Sequence, residues 1–159
     1  MKKILFIILL ITSFFAFTSC ARHIKDTNGE NNFNTETIST QDMLDNNSSS
    51  IKQGALEKKK GNSVSINVKK FSGIETIHNF KLNSATLDFA INIKVNSGNL
   101  KVIICSKSDV IKEFKVNKGT QRLQLPTTTE NLYLKIAGES ASFSLSYEYE
   151  VNMDKGVVI

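Results

Sequence analysis

The chain has 159 residues, 40% of them hydrophobic and 22% charged, with a formal net charge of +5. That length holds one globular domain beside a short leader and leaves no room for a second catalytic domain. Lys2 and Lys3 belong to the leader, so removing them takes +5 to +3, too mild a basicity for a nucleic-acid binder and ordinary for a protein near anionic lipid or wall polymers.

The leader MKKILFIILLITSFFAFTSC starts with two lysines, stays apolar over residues 4–17 except at Thr12 and Ser13, and closes on small residues before Cys20. This three-part order is that of an export signal. Fourteen apolar-run residues are fewer than the roughly 20 that a membrane-spanning helix needs, so the pattern predicts cleavage.

Phe17, Thr18, Ser19 and Cys20 resemble the lipobox of bacterial lipoproteins, with Phe17 standing where that family usually has Leu. The resemblance implies a signal peptide over 1–19, a diacylglycerol on the Cys20 sulfur, and display on the outer side of a bacterial membrane. A cysteine suits this chemistry because its thiolate is the strong nucleophile among side chains at ordinary pH. Two acyl chains anchor stably where one is marginal. The competing reading is secretory cleavage after Ala21, because Ser19 and Ala21 also form a small-x-small site.

Residues 20–60 are rich in Asn, Ser and Thr, and Phe33 is their only aromatic. Such a stretch buries too little apolar surface to offset its ordering entropy, which predicts a disordered tether with at most a transient turn around Met43 and Leu44. Lys58, Lys59 and Lys60 close it. They are read either as a contact with lipid or wall anions or as a solvated boundary before the first strand.

A β domain is predicted over 61–154, followed by a tail at 155–159. Val64, Ile66 and Val68 alternate with polar residues, and a second strand ends in Phe80 and Leu82 after a turn at Ser72 and Gly73. Leu87, Phe89, Ile91, Ile93 and Val95 share one face of a third strand. Asn96, Ser97, Gly98 and Asn99 then read as a hairpin turn into Leu100, Val102 and Ile104. Further strands are expected around 110–116, 120–125, 132–136 and 143–151. Eight short strands without a convincing helix predict an all-β, antiparallel, jelly-roll-like β-sandwich, with an up-and-down barrel as the alternative.

The stretches SGNLKVIICSKSDVIKEF and ENLYLKIAG and the amphipathic strands around them also resemble, in layout, bacterial pre-peptidase C-terminal β-sandwich domains. Leu132 stands where that family usually has a tyrosine, and its acidic hairpin residues are mostly replaced. The resemblance implies an accessory or binding module rather than an enzyme.

No catalytic or cofactor-binding constellation appears in the residues. His23 falls in the tether, and His78 shares a strand face with Phe80 and Leu82, which predicts a structural histidine. Asp88 and Asp109 complete a triad only on paper, because no nucleophile elbow accompanies them. The same acids are the remaining candidates for a loop calcium, and zinc has no Cys/His cluster. Cys105 reads either as an inert small thiol or as the source of an intermolecular disulfide. A sugar-stacking platform would have to use Tyr133, since Tyr147 and Tyr149 fall on the predicted core face and tryptophan is absent.

These residues predict a non-enzymatic, lipid-anchored envelope protein without cofactor, metal or nucleic acid, offering a β-sandwich to a protein partner. The alternative is a module for an envelope polysaccharide or wall polymer. Convergence of Lys101, Lys107, Lys112, Lys115 and Lys118 on one side would favour the polymer.

Overall fold

The computed structural model describes residues 39–45 and 48–153. The leader, Cys20 and the 155–159 tail lie outside the described residues. Among the described residues, one short helix, α1 (Thr40–Leu44), precedes seven strands: β1 (Ser49–Gln53), β2 (Leu56–Lys60), β3 (Ser63–Lys81), β4 (Ala85–Cys105), β5 (Val110–Phe114), β6 (Thr120–Thr128) and β7 (Asn131–Met153). Every pairing is antiparallel. The fold is an all-β sandwich.

Three strands are long, with 19 residues in β3, 21 in β4 and 23 in β7. They lie side by side in the order β3, β7, β4, and each crosses a bulged corner into a second layer. The first layer joins β2, residues 63–68 of β3, 143–151 of β7, 85–95 of β4, and β6. The second joins β1, the later part of β3, residues 131–138 of β7, 99–105 of β4, and β5. Bulges that let strands turn from one sheet face to another are the usual makers of such corners.

This arrangement corrects the expected strand list. Asn96 to Asn99 do not reverse the chain; they sit inside β4, where the register with β7 slips between Val95 and Ser97 and again between Ser97 and Asn99. Ser72 and Gly73 likewise lie within β3, and the two expected late strands are one strand, β7. Gly98 takes a φ of 72°, and a Cβ there would stand 2.4 Å from the Ser140 carbonyl oxygen. Only a glycine lets the strands come this close. The Ser140 N–H donates to Ser72 Oγ at 2.9 Å and ties β7 to β3 at the same corner.

Between the layers, Val64, Ile66, Leu87, Ile91, Ile93, Phe143 and Leu145 of the first meet Phe80, Leu100, Val102, Ile104, Phe114, Leu132, Leu134 and Ile136 of the second. The rings of Phe80 and Phe89 meet edge to face at 5.7 Å. Phe89 and Phe114 lie 5.6 Å apart, so the contact spans the sandwich. Phe71 fills the inside of the corner, 0% exposed and edge-on to Phe143 at 6.0 Å.

The expected tether does not extend to residue 60. β1 and β2 form one interrupted edge strand along β3, and Lys60 faces Ser63 across a turn of Gly61 and Asn62. Gly61 has a φ of 56°, the positive value that tight hairpin turns demand at their first central residue. Ten exposed strand positions leave no hydrophobic period to read in the sequence. α1 packs on the outer face of the second layer, where Met43 is 0% exposed against Ile103, Cys105 and Ala137. The Lys135 ammonium, itself buried, donates to the Met43 carbonyl at 2.7 Å. Residues 39–153 thus carry both apolar clusters and their cover.

Candidate functional site

A groove runs along the solvent face of the first layer. Register places Lys60, Ser63, Glu148, Ala90 and Arg122 in one row across five strands. The next row sets Glu150, Asp88 and Gln124 side by side. On the other side lie Lys58, Ser65, Ser146, Asn92 and Thr120. Strand alternation sends all of these outward, because their neighbours Val64, Phe89, Ile91 and Tyr147 are buried in the core.

Side-chain length then shapes the surface. Ser63, Ser65, Ser146 and Ala90 are short, Lys60 and Arg122 stand on the outer strands, and Asp88, Glu148 and Glu150 stand between them. The result is a groove of about 630 Å³ whose lining includes Lys60, Asn62, Asp88, Ala90, Arg122, Gln124, Glu148 and Glu150. A hollow of about 220 Å³ beside Asn92, Thr120 and Ser146 continues the same face. Three carboxylates, a lysine and an arginine thus line one trough, with Asn152 Nδ2 donating to Asp88 Oδ2 at 3.4 Å. Carboxylates accept from paired hydroxyls, and the guanidinium offers five donors in a planar fork. Such a groove offers donors and acceptors to a long polar ligand.

His78 lies on the opposite, inner face. A bulge between Thr76 and His78 turns its ring inward, where Nδ1 shares a hydrogen bond of 3.1 Å with the Tyr147 hydroxyl. Its ring packs 4.4 Å from Phe80 and 4.7 Å from Tyr149. Burial, helped by the nearby Lys59 charge, lowers the His78 pKa from 6.5. Burial also pushes Tyr147 up to about 12, with Glu57 and Tyr149 adding to it. A histidine that resists protonation in the folded state favours unfolding in acid. Its contribution is intact above pH 6.5 and is lost as the pH falls toward the lowered folded value. Wild type should therefore lose stability between pH 7 and pH 5 by a component that His78→Gln lacks, read as a smaller shift of the urea midpoint in the variant.

The two acids weighed as partners of His78 are not near it. Asp88 points to the outer face, into the groove. Asp109 sits in the turn between β4 and β5, where Ser108 Oγ donates to its Oδ2 at 2.6 Å and its N–H donates to Ser106 Oγ at 3.1 Å. Among the described residues, no three His, Cys, Asp or Glu side chains come together as a metal site.

Cys105 is 0% exposed beneath α1, with Sγ 3.7 Å from the Tyr133 carbonyl oxygen, and burial raises its pKa. The disulfide reading fails on this surface because α1 covers the sulfur. Tyr133 is half-buried in the same cluster, its ring 6.0 Å from the Lys135 ammonium, so it is no open platform for sugars. The five lysines scatter: Lys101 Nζ bonds Thr40 Oγ1 of α1 at 3.3 Å, Lys107 and Lys118 lie in separate turns, and Lys112 and Lys115 follow the β5 edge.

Sequence reasoning finds the wet face of the last strand but not the groove, since Glu148 gains meaning only beside Ala90 and Arg122. No local signal carries that register. Cys20 lies outside the described residues. No protein-family model and no curated protein sequence matches the chain. Among solved structures, the chain is similar to the extra C-terminal domain (X) of an exo-1,3/1,4-beta-glucanase (ExoP) from a Pseudoalteromonas species, at 14% identity and a TM-score of 0.31, over 65% of this chain and 75% of that one.

Proposed function

We propose that the protein is a non-enzymatic binding domain, held on the outer side of a bacterial membrane by a diacylglycerol on Cys20, that takes a hydroxyl-rich envelope polymer into its first-layer groove. The observation that carries this reading is the row of Lys60, Ser63, Glu148, Ala90 and Arg122, which alternates charged side chains with the short Ser63 and Ala90 across five strands. Acceptors and donors on both sides suit a polyhydroxylated chain lying along the trough. The separation of His78 and Asp88 onto opposite sheet faces supports binding rather than hydrolysis. The anchor rests on Phe17, Thr18, Ser19 and Cys20.

The test is co-sedimentation of residues 39–153 with purified cell-wall sacculi at low and high salt. Arg122→Ala and Glu148→Ala should each weaken binding about tenfold, the effect of losing one charge-assisted hydrogen bond. Retention equal to wild type in both variants would overturn the groove as the binding site. The anchor is checked separately: Cys20→Ala should leave the membrane fraction, and unchanged partitioning would refute lipid attachment there.

A further inference from the structure

We infer that the edge formed by β1 and β2 is a contact surface for an anionic phospholipid bilayer. Lys52 faces buried Phe71 and Lys59 faces buried Val64, so both turn toward the sandwich interior. The alternate residues therefore point to solvent on the convex outside of the bent edge, Ile51 and Gln53 on the second-layer side of the Gly54 bend and Leu56, Lys58 and Lys60 on the first-layer side. Lys70 stands opposite Gln53, and the Lys69 side chain lies against the Gly54 bend. Among the described residues, no carboxylate of β1 or β2 points to this outer face: Glu57 alternates inward opposite Ile66, and Glu75 of β3 is paired with Lys52 at 2.6 Å.

Lysines alone would make a plain protected edge, since charge is how sheets resist unwanted pairing. Ile51 and Leu56 act against that purpose. They are 69% and 54% exposed, two of the four large hydrophobic side chains left open among the described residues. Aliphatic groups set among lysines suit a bilayer surface, where the apolar part enters the head-group boundary and the ammonium groups stay at the phosphates. A wall polyanion would use the charges and leave the two aliphatic side chains without a role. The inference does not depend on Cys20, because the surface belongs to the folded domain.

The test uses residues 39–153, which lack the anchor, with vesicles of phosphatidylcholine alone and vesicles containing phosphatidylglycerol, at low and high salt. Binding is expected only to the second kind. Lys58→Gln with Lys70→Gln should weaken it about 25-fold, about fivefold for each lysine near an anionic surface. Ile51→Ser with Leu56→Ser should abolish whatever binding survives high salt. No preference for anionic vesicles would overturn the inference. So would serine variants that bind as wild type does, because the edge would then be a general polyanion contact. Neither groove binding nor lipid attachment enters these readouts, so the three readings fail separately.

Discussion

Replacing Phe71 with alanine should destabilise the domain by about 3 to 5 kcal/mol, the usual cost of emptying a fully buried aromatic site. That is a large share of the roughly 5 to 15 kcal/mol by which domains are stable. Phe71 is fully buried inside the corner, edge-on to Phe143 and close over Gly138, where an added Cβ would stand 2.7 Å from its ring. Neighbours cannot collapse into the space, because the backbones of β3, β4 and β7 are fixed there by their bulges. Urea unfolding followed by circular dichroism measures the loss. A midpoint shift no larger than that of Ile51→Ala, on the exposed edge, would show that the corner does not depend on this ring.

The second large effect concerns α1. One helical turn of five residues has almost no stability of its own, so its position depends on what holds it. Those holds are the buried Met43 side chain, the Lys135 hydrogen bond to the Met43 carbonyl, and the Ser39 cap on the Gln41 N–H. Met43→Ala removes about 2 kcal/mol or more of this docking. Local opening would then be at least about 30-fold more frequent, and a thiol reagent should modify Cys105 faster by that factor. The sheet itself should be unchanged by circular dichroism. Labelling equally slow in wild type and variant would mean that the sulfur is shielded by the sheet and not by α1.

Some of this architecture is legible in the sequence for a clear reason. Leu87 to Val95 and Phe143 to Val151 alternate so regularly that their dry and wet faces can be assigned, and the structure puts Leu87, Ile91, Phe143 and Leu145 in the core. The corners read as turns because both leave the same trace. In β4 the inward positions are odd up to Val95 and even from Leu100 onward, with Asn, Ser and Gly between them. A hairpin produces that change of phase, and so does a pair of bulges. β1 and β2 are invisible for the opposite reason: an edge strand exposed on both faces needs no alternation, and its partner residues in β3 supply the order. α1 is foreshadowed only by Met43 and Leu44, and the pocket that receives them is built from residues some thirty to ninety positions later.

The groove is illegible because it is a property of rows and not of strands. Glu148, Ala90 and Arg122 are far apart in sequence and adjacent across the sheet. Each alone is an ordinary outward residue.

The placement of β7 sets an order on the protein's birth. This last strand lies between β3 and β4 and is the sole neighbour that both share. Ser63 therefore waits for Glu148, and Asn92 for Ser146, before either has its partner on that side. Whether the chain emerges from a ribosome or from an export channel, the sandwich cannot close until its final quarter has been delivered. Long-range pairing of this kind folds slowly and late. A chain built this way gains the interior of its sheet only when β7 joins β3 and β4.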